Sequence, residues 1–288
     1  MTRKFTLWLT SNLLVLGICS FSLLPSQLGD EKDETKLSEK SRAVLAAKKK
    51  LVAREIKKLK GHAWAGQYYY GDHLGVNVAL SLAPKSGFAY TWDGCLGLYD
   101  LNYGDVVEAD GRIRLVFALP NEPKGVGIRP EFFPVLWGER HYLISADQLV
   151  RFANAINAGF EPRKGPSGRF LLKAGDHLKA TRGDPNLPAE FSGYLLKEPI
   201  EAEISSVKDS RMEDTNRVTA AVLNAGANRG VKVGMEFWVY QPSGLYGKAL
   251  ATSVNDSSSE VTIDQLEAPG ESHIPSPGWK LSTHVGHD

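Results

Sequence analysis

Apolar and polar positions follow three different patterns along this chain of 288 residues. Residues 5–24 form an uncharged, largely apolar run, and residues 31–60 carry a single apolar stripe at helical spacing. From Trp64 onward, apolar residues alternate with polar or small ones. A period of 3.6 indicates an amphipathic helix, and a period of two indicates a half-buried strand. The pattern therefore predicts a mainly β protein, preceded by an export or anchor segment and a charged helix.

The first group of strand-like segments predicts an antiparallel β-meander. Residues 76–82 and 88–92 alternate on either side of a turn at residues 84–87, which indicates a hairpin with one buried face. A strand at residues 64–70 precedes this hairpin, and another turn at Asp110-Gly111 extends the sheet. The simplest arrangement is a curved sheet or a partly closed barrel.

One helix interrupts the strands of this first β domain, which is predicted to span residues 62–182. Ser145 is a good N-cap, and Gln148 three residues later completes a capping box. Apolar residues then recur at helical spacing until Gly159 ends the helix. The helix is predicted at residues 145–158, and its apolar face must pack against the sheet.

A second β domain is predicted at residues 189–286, after a linker at residues 183–188. Strands are indicated at residues 200–207 and 217–223. They are followed by NAGANRGVKVGMEFWVY at residues 224–240 and then by the short segments GKALATSV and SEVTI. A strand, a turn rich in Gly and Asn, an aromatic strand and two short strands predict a small antiparallel barrel.

The segment at residues 217–263 resembles the small SH3-like β-barrel domains of bacterial envelope and flagellar-assembly proteins. Those domains commonly carry the pattern LNxGxxxGVxxGMxFxVY followed by GxAxVxxV, which is similar to residues 223–240 and 247–254. The resemblance covers under a fifth of the chain. It implies a fold and a cellular compartment but no catalytic residue, because a shared fold does not by itself imply a shared function.

The first apolar run predicts export. Arg3 and Lys4 precede it, and a charged stretch opens at Asp30 after it. Residues 1–29 are either a cleaved signal peptide or a retained anchor whose basic start stays in the cytoplasm. Lipidation of Cys19 is a third alternative, because the residues before it partly resemble a bacterial lipobox. We therefore expect the rest of the chain to be periplasmic, or anchored in the inner membrane and facing the periplasm.

Residues 30–61 predict a charged helix. They are rich in Ala, Lys, Glu and Leu, and their acidic residues precede their basic ones. This order suits the helix macrodipole. Alternatively, the basic end binds anionic lipid head groups. With the anchor retained, the helix would be a rod of about 45 Å that holds the β domains away from the membrane as a stalk.

The net charge gives no reason to expect a nucleic-acid partner. The chain has 34 Lys and Arg residues against 33 Asp and Glu residues. Loss of Arg3 and Lys4 with the leader would leave 32 basic residues and a net charge of −1. Such a near-neutral chain lacks the basic excess that nucleic-acid binding requires. The expected partners are an envelope protein or a cell-wall component, together with the membrane through the N-terminal segment.

Aromatic residues are concentrated on one predicted face of the first β domain. They are Trp64, Tyr68, Tyr70, Phe88, Tyr90 and Trp92. Either these side chains fill the core of the sheet, or they line a pocket for an apolar ligand, with Tyr hydroxyls and Trp N–H groups as its polar contacts. In the second case, the predicted ligand-binding residues are Trp64, Tyr68, Tyr70, Tyr90 and Trp92.

Cys95, in AYTWDGCLGLYD, has three interpretations: a nucleophile, half of an intermolecular disulfide, or a buried structural thiol. Thiol nucleophiles are often activated at a helix N-terminus, but the residues after Cys95 have no helical period. The Ser-x-Gly-Cys-x-Arg motif of cell-wall transpeptidases is incomplete, because Trp92 replaces the serine and Gly97 the arginine. We therefore expect a buried structural thiol.

No metal, cofactor or catalytic residue is predicted. Asp72-His73 and His284-x-x-His287 are the closest groupings of metal-ligand types, and neither has a third ligand nearby in sequence. The histidines His62, His73, His141 and His177 are candidate bases, but their spacing selects none of them. The sequence also lacks a P-loop, a Gly-x-Ser-x-Gly elbow and a dinucleotide fingerprint.

Two classes of function remain. In the first, the chain is a non-catalytic binding or scaffolding module of the cell envelope. In the second, the first β domain binds a small molecule or a cell-wall ligand, with hydrolase activity as an open alternative. An aromatic-lined cavity with His or Asp at its mouth would favour the second class, and a filled sheet the first. The sequence favours the first, because exported β-rich modules without a catalytic signature are more often binding proteins than enzymes.

Overall fold

The computed structural model describes residues 37–71, 76–121, 127–162, 170–241, 243–266 and 274–286. In these ranges the chain is mainly β and forms two closed antiparallel barrels, which confirms the predicted fold class. The predicted leader at residues 1–29, including Cys19, lies outside the described residues. Within the described ranges, no helix combines the length and the apolar character needed to cross a bilayer.

Eight strands form the first barrel in chain order, and the last pairs with the first to close it. They are β1 (Gly66–Gly71), β2 (Val76–Ala83), β3 (Gly87–Gly94), β4 (Gly97–Ala109), β5 (Arg112–Phe117), β6 (Glu131–Trp137), β7 (Arg140–Ile144) and β8 (Leu171–Lys173). The turn at Asp110-Gly111 has φ values of 52° and 71°, as two-residue hairpin turns require. The meander predicted as curved or partly closed is therefore a complete barrel.

Cross-strand rows of side chains fill the interior of this barrel. Phe88 on β3 lies opposite Gly104 on β4, and Gly104 lies opposite Phe117 on β5. The two phenyl rings meet edge to face with their centroids 5.6 Å apart. A Cβ at position 104 would lie 3.1 Å from the Phe88 ring and 1.9 Å from the carbonyl oxygen of Val116. A larger residue at position 104 would therefore overlap the Val116 carbonyl oxygen and crowd the Phe88 ring.

Helix α1 (Glu39–Lys58) packs on the outer face of β2–β4. Leu45 and Val52 are buried, and Leu45 belongs to a small cluster with Ala89 and Leu101. Near the end of the helix, the Glu55 carboxylate accepts hydrogen bonds from two backbone N–H groups in the turn between β2 and β3, at 3.0 and 2.6 Å. The predicted stalk is therefore wrong for these residues, because the apolar stripe is buried against the barrel.

Helix α2 (Ala146–Asn157) lies between the two barrels and confirms the helix predicted at residues 145–158. On one side, Leu149 and Phe152 pack with outward-facing residues of β6–β8. On another side, the Asn154 side chain donates a hydrogen bond to the backbone carbonyl oxygen of Gly234, at 2.9 Å. The helix therefore contacts both barrels.

The predicted N-cap of α2 is correct, but the predicted capping box is not formed. Ser145 occupies the N-cap position without a side-chain hydrogen bond to the helix backbone. Its hydroxyl lies close enough to the Asp147 carboxylate to lower the pKa of that group. The Gln148 amide nitrogen lies 3.5 Å from the same carboxylate. The Ser145 side chain therefore does not cap the helix backbone.

Six strands close the second barrel in the order β10-β13-β12-β11-β14-β9. They are β9 (Glu201–Glu213), β10 (Asn216–Leu223), β11 (Glu236–Gln241), β12 (Gly244–Val254), β13 (Ser259–Leu266) and β14 (Lys280–Ser282). A short helix, α3 (Ala189–Ser192), precedes them. The core includes Leu223, Phe237, Val239 and Ile263. The predicted C-terminal barrel is confirmed, and its resemblance to SH3-like domains stays a prediction.

Candidate functional site

A cavity of about 370 Å³ lies at one end of the first barrel. One cross-strand row forms part of its wall: Tyr70 on β1 lies opposite Val78 on β2, and Val78 lies opposite Trp92 on β3. Tyr90 is two residues before Trp92 and also lines the cavity. Because side chains alternate along a strand, Tyr90 and Trp92 point to the same face. The barrel wall of the cavity is therefore apolar and mainly aromatic.

The other wall comes from α2 and from the segment that leads into β6. Ser145, Asp147, Gln148 and Arg151 line the cavity from the start of α2. Asp147 and Arg151 are four residues apart, so they lie on one face of the helix. The remaining lining residues are Val76, Gly127, Ile128, Arg129, Phe132 and Leu171. Most of the polar lining residues therefore come from α2 and the segment before β6, whereas the aromatic ones come mainly from β1 and β3.

Two lining residues carry buried polar atoms that have no hydrogen-bond partner among the described residues. These atoms are Nε1 of Trp92 and Oε1 of Gln148. The indole N–H is a donor, and the amide oxygen is an acceptor. Leaving a buried polar group unpaired costs about 1–3 kcal/mol. A bound molecule that pairs with either atom would recover part of this cost.

The charged residues of the cavity are unevenly paired. Arg129 and Asp147 form an ion pair at 2.8 Å. Burial raises the pKa of Asp147, but the Ser145 hydrogen bond and the Arg129 charge outweigh it and hold that pKa below its ordinary value. Arg151 is exposed and forms no ion pair with another described residue. The lining therefore carries one positive charge that no described acidic residue offsets.

The structure divides the predicted ligand-binding residues into two groups. Tyr70, Tyr90 and Trp92 line the cavity. Trp64 and Tyr68 are each 2% exposed, belong to the packed interior and do not line it. The Tyr68 hydroxyl donates to the backbone carbonyl oxygen of Trp64 at 2.9 Å, and burial raises the pKa of Tyr68 above its ordinary value. The aromatic set is thus part core and part cavity lining.

The wall contributed by α2 was not recognised from the sequence as part of a site. Ser145 and Gln148 were identified only as helix-capping residues, and Arg129 and Arg151 had no pattern that distinguished them from other surface arginines. Phe132 is more than 30 residues away from Trp92 in sequence. The N-cap at Ser145 was the one sequence signal that could have located this wall, because it marks the point where β7 ends and the first turn of α2 begins.

A histidine–carboxylate pair lies elsewhere on the first barrel. The Asp176 carboxylate accepts hydrogen bonds from the His141 ring and from its backbone N–H, both at 2.8 Å, and pairs with Lys179 at 2.6 Å. No serine or cysteine among the described residues is hydrogen-bonded to the His141 ring. These contacts fasten the turn at residues 176–178 to β7, so the pair is explained as a structural clamp.

Cys95 is exposed, and the prediction of a buried thiol is wrong. It lies with Leu96 in the turn between β3 and β4, beyond the last cross-strand pair, Gly94 and Gly97. Gly97 has a φ of 106°, a backbone conformation that residues other than glycine rarely adopt. The two glycines therefore mark a turn, and a turn at the barrel rim faces solvent.

Metal ligation and similarity to known proteins add no further assignment. Among the described residues, no group of three or more His, Cys, Asp or Glu side chains is arranged to hold a metal ion. Asp72, His73 and His287, which the sequence grouped as ligand types, lie outside the described residues. Comparison with protein-family models, with curated proteins and with solved structures finds no match.

Proposed function

We propose that this chain is an exported, non-catalytic envelope protein whose first barrel binds a small, largely apolar ligand. The observation that carries the proposal is the cavity of about 370 Å³ with its aromatic wall of Tyr70, Tyr90 and Trp92. Small-molecule sites are typically clefts of about 300–1,000 Å³ with apolar walls and a few placed polar groups. The Trp92 N–H and the Gln148 amide oxygen, which have no hydrogen-bond partner among the described residues, supply such groups.

The composition of the lining supports binding without catalysis. The described lining contains no histidine and no cysteine. Asp147, the acidic lining residue nearest to Ser145 in sequence, is paired with Arg129. A serine nucleophile requires an adjacent base that can accept its proton, and an ionised aspartate held by an arginine is a weak base. The hydrolase alternative therefore lacks an observation in its favour.

A fluorescence titration with N-phenyl-1-naphthylamine, excited directly, tests the proposal on the full chain. The probe is neutral and apolar, and its emission rises in apolar surroundings. We expect saturable binding that Val78→Phe weakens at least tenfold, because the larger side chain fills the cavity. Val76 lines the rim of the cavity and is 38% exposed. Val76→Phe should therefore also obstruct probe binding, without disturbing the packed interior.

Val107→Phe is the matched control, because Val107 is on β4, is 46% exposed and does not line the cavity. It should bind the probe as the unmodified chain does. Equal binding by all of these folded variants would place the probe elsewhere and contradict the proposal. Absence of saturable binding by the unmodified chain would also contradict it.

The cellular side of the proposal is export, supported by the basic start and the uncharged run at residues 5–24. Protease added to cells with a permeabilised outer membrane should digest the chain while a cytosolic marker survives. Survival of the chain alongside the marker would contradict export.

Binding to an envelope protein or a cell-wall component stays a prediction of the sequence. Crosslinking in intact cells followed by mass spectrometry tests it, and recovery of the uncrosslinked chain alone would count against it.

A further inference from the structure

We infer that the ligand of the first barrel is an organic anion, with an apolar ring-bearing body between Tyr70, Tyr90 and Trp92 and an acidic group beside Arg151. This inference rests on the proposed function, because it names the class of ligand that the cavity takes. It is carried by the distribution of charge across the two walls.

The two walls would contact different parts of such a ligand. The row Tyr70–Val78–Trp92 offers ring faces, ring edges and aliphatic carbon, which suit an apolar or aromatic body. The rest of the lining includes Arg129, Asp147, Gln148 and Arg151, which come from α2 and from the segment before β6. A ligand that fills the cavity therefore has an apolar end and a polar end.

The sign of the polar end follows from how the charges pair. Asp147 and Arg129 form an ion pair at 2.8 Å, so their charges largely offset each other. Arg151 forms no ion pair with another described residue. A cationic ligand would meet this positive charge, and a neutral one would partly desolvate it without compensation. A carboxylate or sulfonate would pair with the guanidinium, whose forked N–H groups match such oxygens.

The remaining polar groups are compatible with the same ligand. Ser145, Asp147 and Gln148 lie at the N-cap and in the first turn of α2, where the helix macrodipole adds partial positive charge. The buried N–H of Trp92 is a donor that can bind an oxygen of the ligand body. Among the described lining residues, two arginines thus stand against one aspartate.

A matched pair of probes tests the charge separately from binding. 8-Anilinonaphthalene-1-sulfonate and N-phenyl-1-naphthylamine share the same aromatic skeleton and differ by the sulfonate. We expect the full chain to bind the anionic probe about tenfold more tightly. Arg151→Gln should reduce that preference to less than threefold and leave the affinity for the neutral probe unchanged. Raising the salt concentration should weaken the binding of the anionic probe more than that of the neutral probe, because salt screens the charge interaction.

Arg54→Gln is the control variant, because Arg54 is an exposed arginine on α1 and does not line the cavity. It should leave both affinities unchanged. Equal binding of the two probes, with both blocked by Val78→Phe, would overturn the anionic ligand while keeping the binding function. A preference that survives Arg151→Gln would overturn the role of Arg151. Failure of both probes to bind would overturn the proposed function itself.

Discussion

The side-chain amide of Asn154 donates a hydrogen bond of 2.9 Å to the backbone carbonyl oxygen of Gly234. Asn154 is on α2 and is 5% exposed, whereas Gly234 precedes β11 in the second barrel. A Cβ at position 234 would lie 3.3 Å from Val150, so the helix and this turn are in close contact. The helix whose first turns line the cavity is therefore fastened by its later turns to the second barrel.

The Asn154→Ala substitution should destabilise the protein by about 1 kcal/mol, because it removes the donor of a partly buried hydrogen bond. The free energy of unfolding in urea measures this change. Asn228→Ala is the control, because Asn228 is exposed and surface changes usually stay within about 0.5 kcal/mol. Equal effects of the two substitutions would show that the Asn154 contact does not fasten the barrels.

The docking of α1 on the first barrel can be tested by truncating one buried side chain. Leu45→Ala should cost about 2–5 kcal/mol, as buried leucines do, and should speed hydrogen exchange of the α1 amides. Leu51→Ala, at a position that is 52% exposed on the same helix, should change stability by less than about 0.5 kcal/mol. A free stalk would instead give small and similar effects for both variants.

Asp176 makes the stability of the first barrel sensitive to acid. Burial raises the pKa of Asp176, but hydrogen bonds from Lys179 and His141 outweigh it and hold that pKa below its ordinary value. The ionised Asp176 carboxylate should therefore stabilise the folded state fully above the unfolded-state pKa of about 3.9. This stabilisation should be lost as the pH falls through the lower folded-state pKa.

Unfolding free energies of Asp176→Asn and the unmodified chain, measured from neutral to acidic pH, test this expectation. The unmodified chain should be more stable at neutral pH, and the difference should shrink below about pH 4. Asp184→Asn, at an exposed position, should show no such convergence. A difference for Asp176→Asn that is constant with pH would contradict the role of its charge.

The exposed turn position of Cys95 predicts ready alkylation of the folded protein. Its reaction with iodoacetamide should be within a few-fold of the rate for the chain unfolded in urea, because the thiol is accessible in both states. If folding strongly slowed the alkylation of Cys95, the interpretation of Cys95 as a buried thiol would be supported instead. A rate well above that of the unfolded chain would indicate an activated nucleophile instead.

The sequence predicted which residues of β2 and β3 share a face, because hairpin geometry is local. The turn at residues 84–87 sets the register between β2 and β3, so Val78 and Trp92 had to share a face. The opposite wall could not be predicted in the same way. It depends on closure of the barrel, where Tyr69 pairs with Leu172, and pattern reasoning supplies no information on a contact that distant in sequence.

The predictions of a free stalk and of a buried Cys95 failed for identifiable physical reasons. The narrow stripe of α1 suggested a solvated rod, but a stripe that includes Leu45 and Val52 is wide enough to cover the small Ala89 on the outside of a barrel. Cys95 was assigned to the interior because cysteines are usually buried. The flanking glycines, which mark the turn, were the more informative signal.

The central claim is that a ligand occupies the first barrel beside Trp92, and the indole N–H resonance of that residue tests it most directly. In ¹⁵N-labelled full-length chain, titration with 8-anilinonaphthalene-1-sulfonate should move the Trp92 resonance saturably, since its Nε1 is buried at the cavity without a described partner. The resonances of Trp238 and Trp279 in the second barrel should stay in place. A Trp92 resonance that stays fixed while one of these moves would contradict the account.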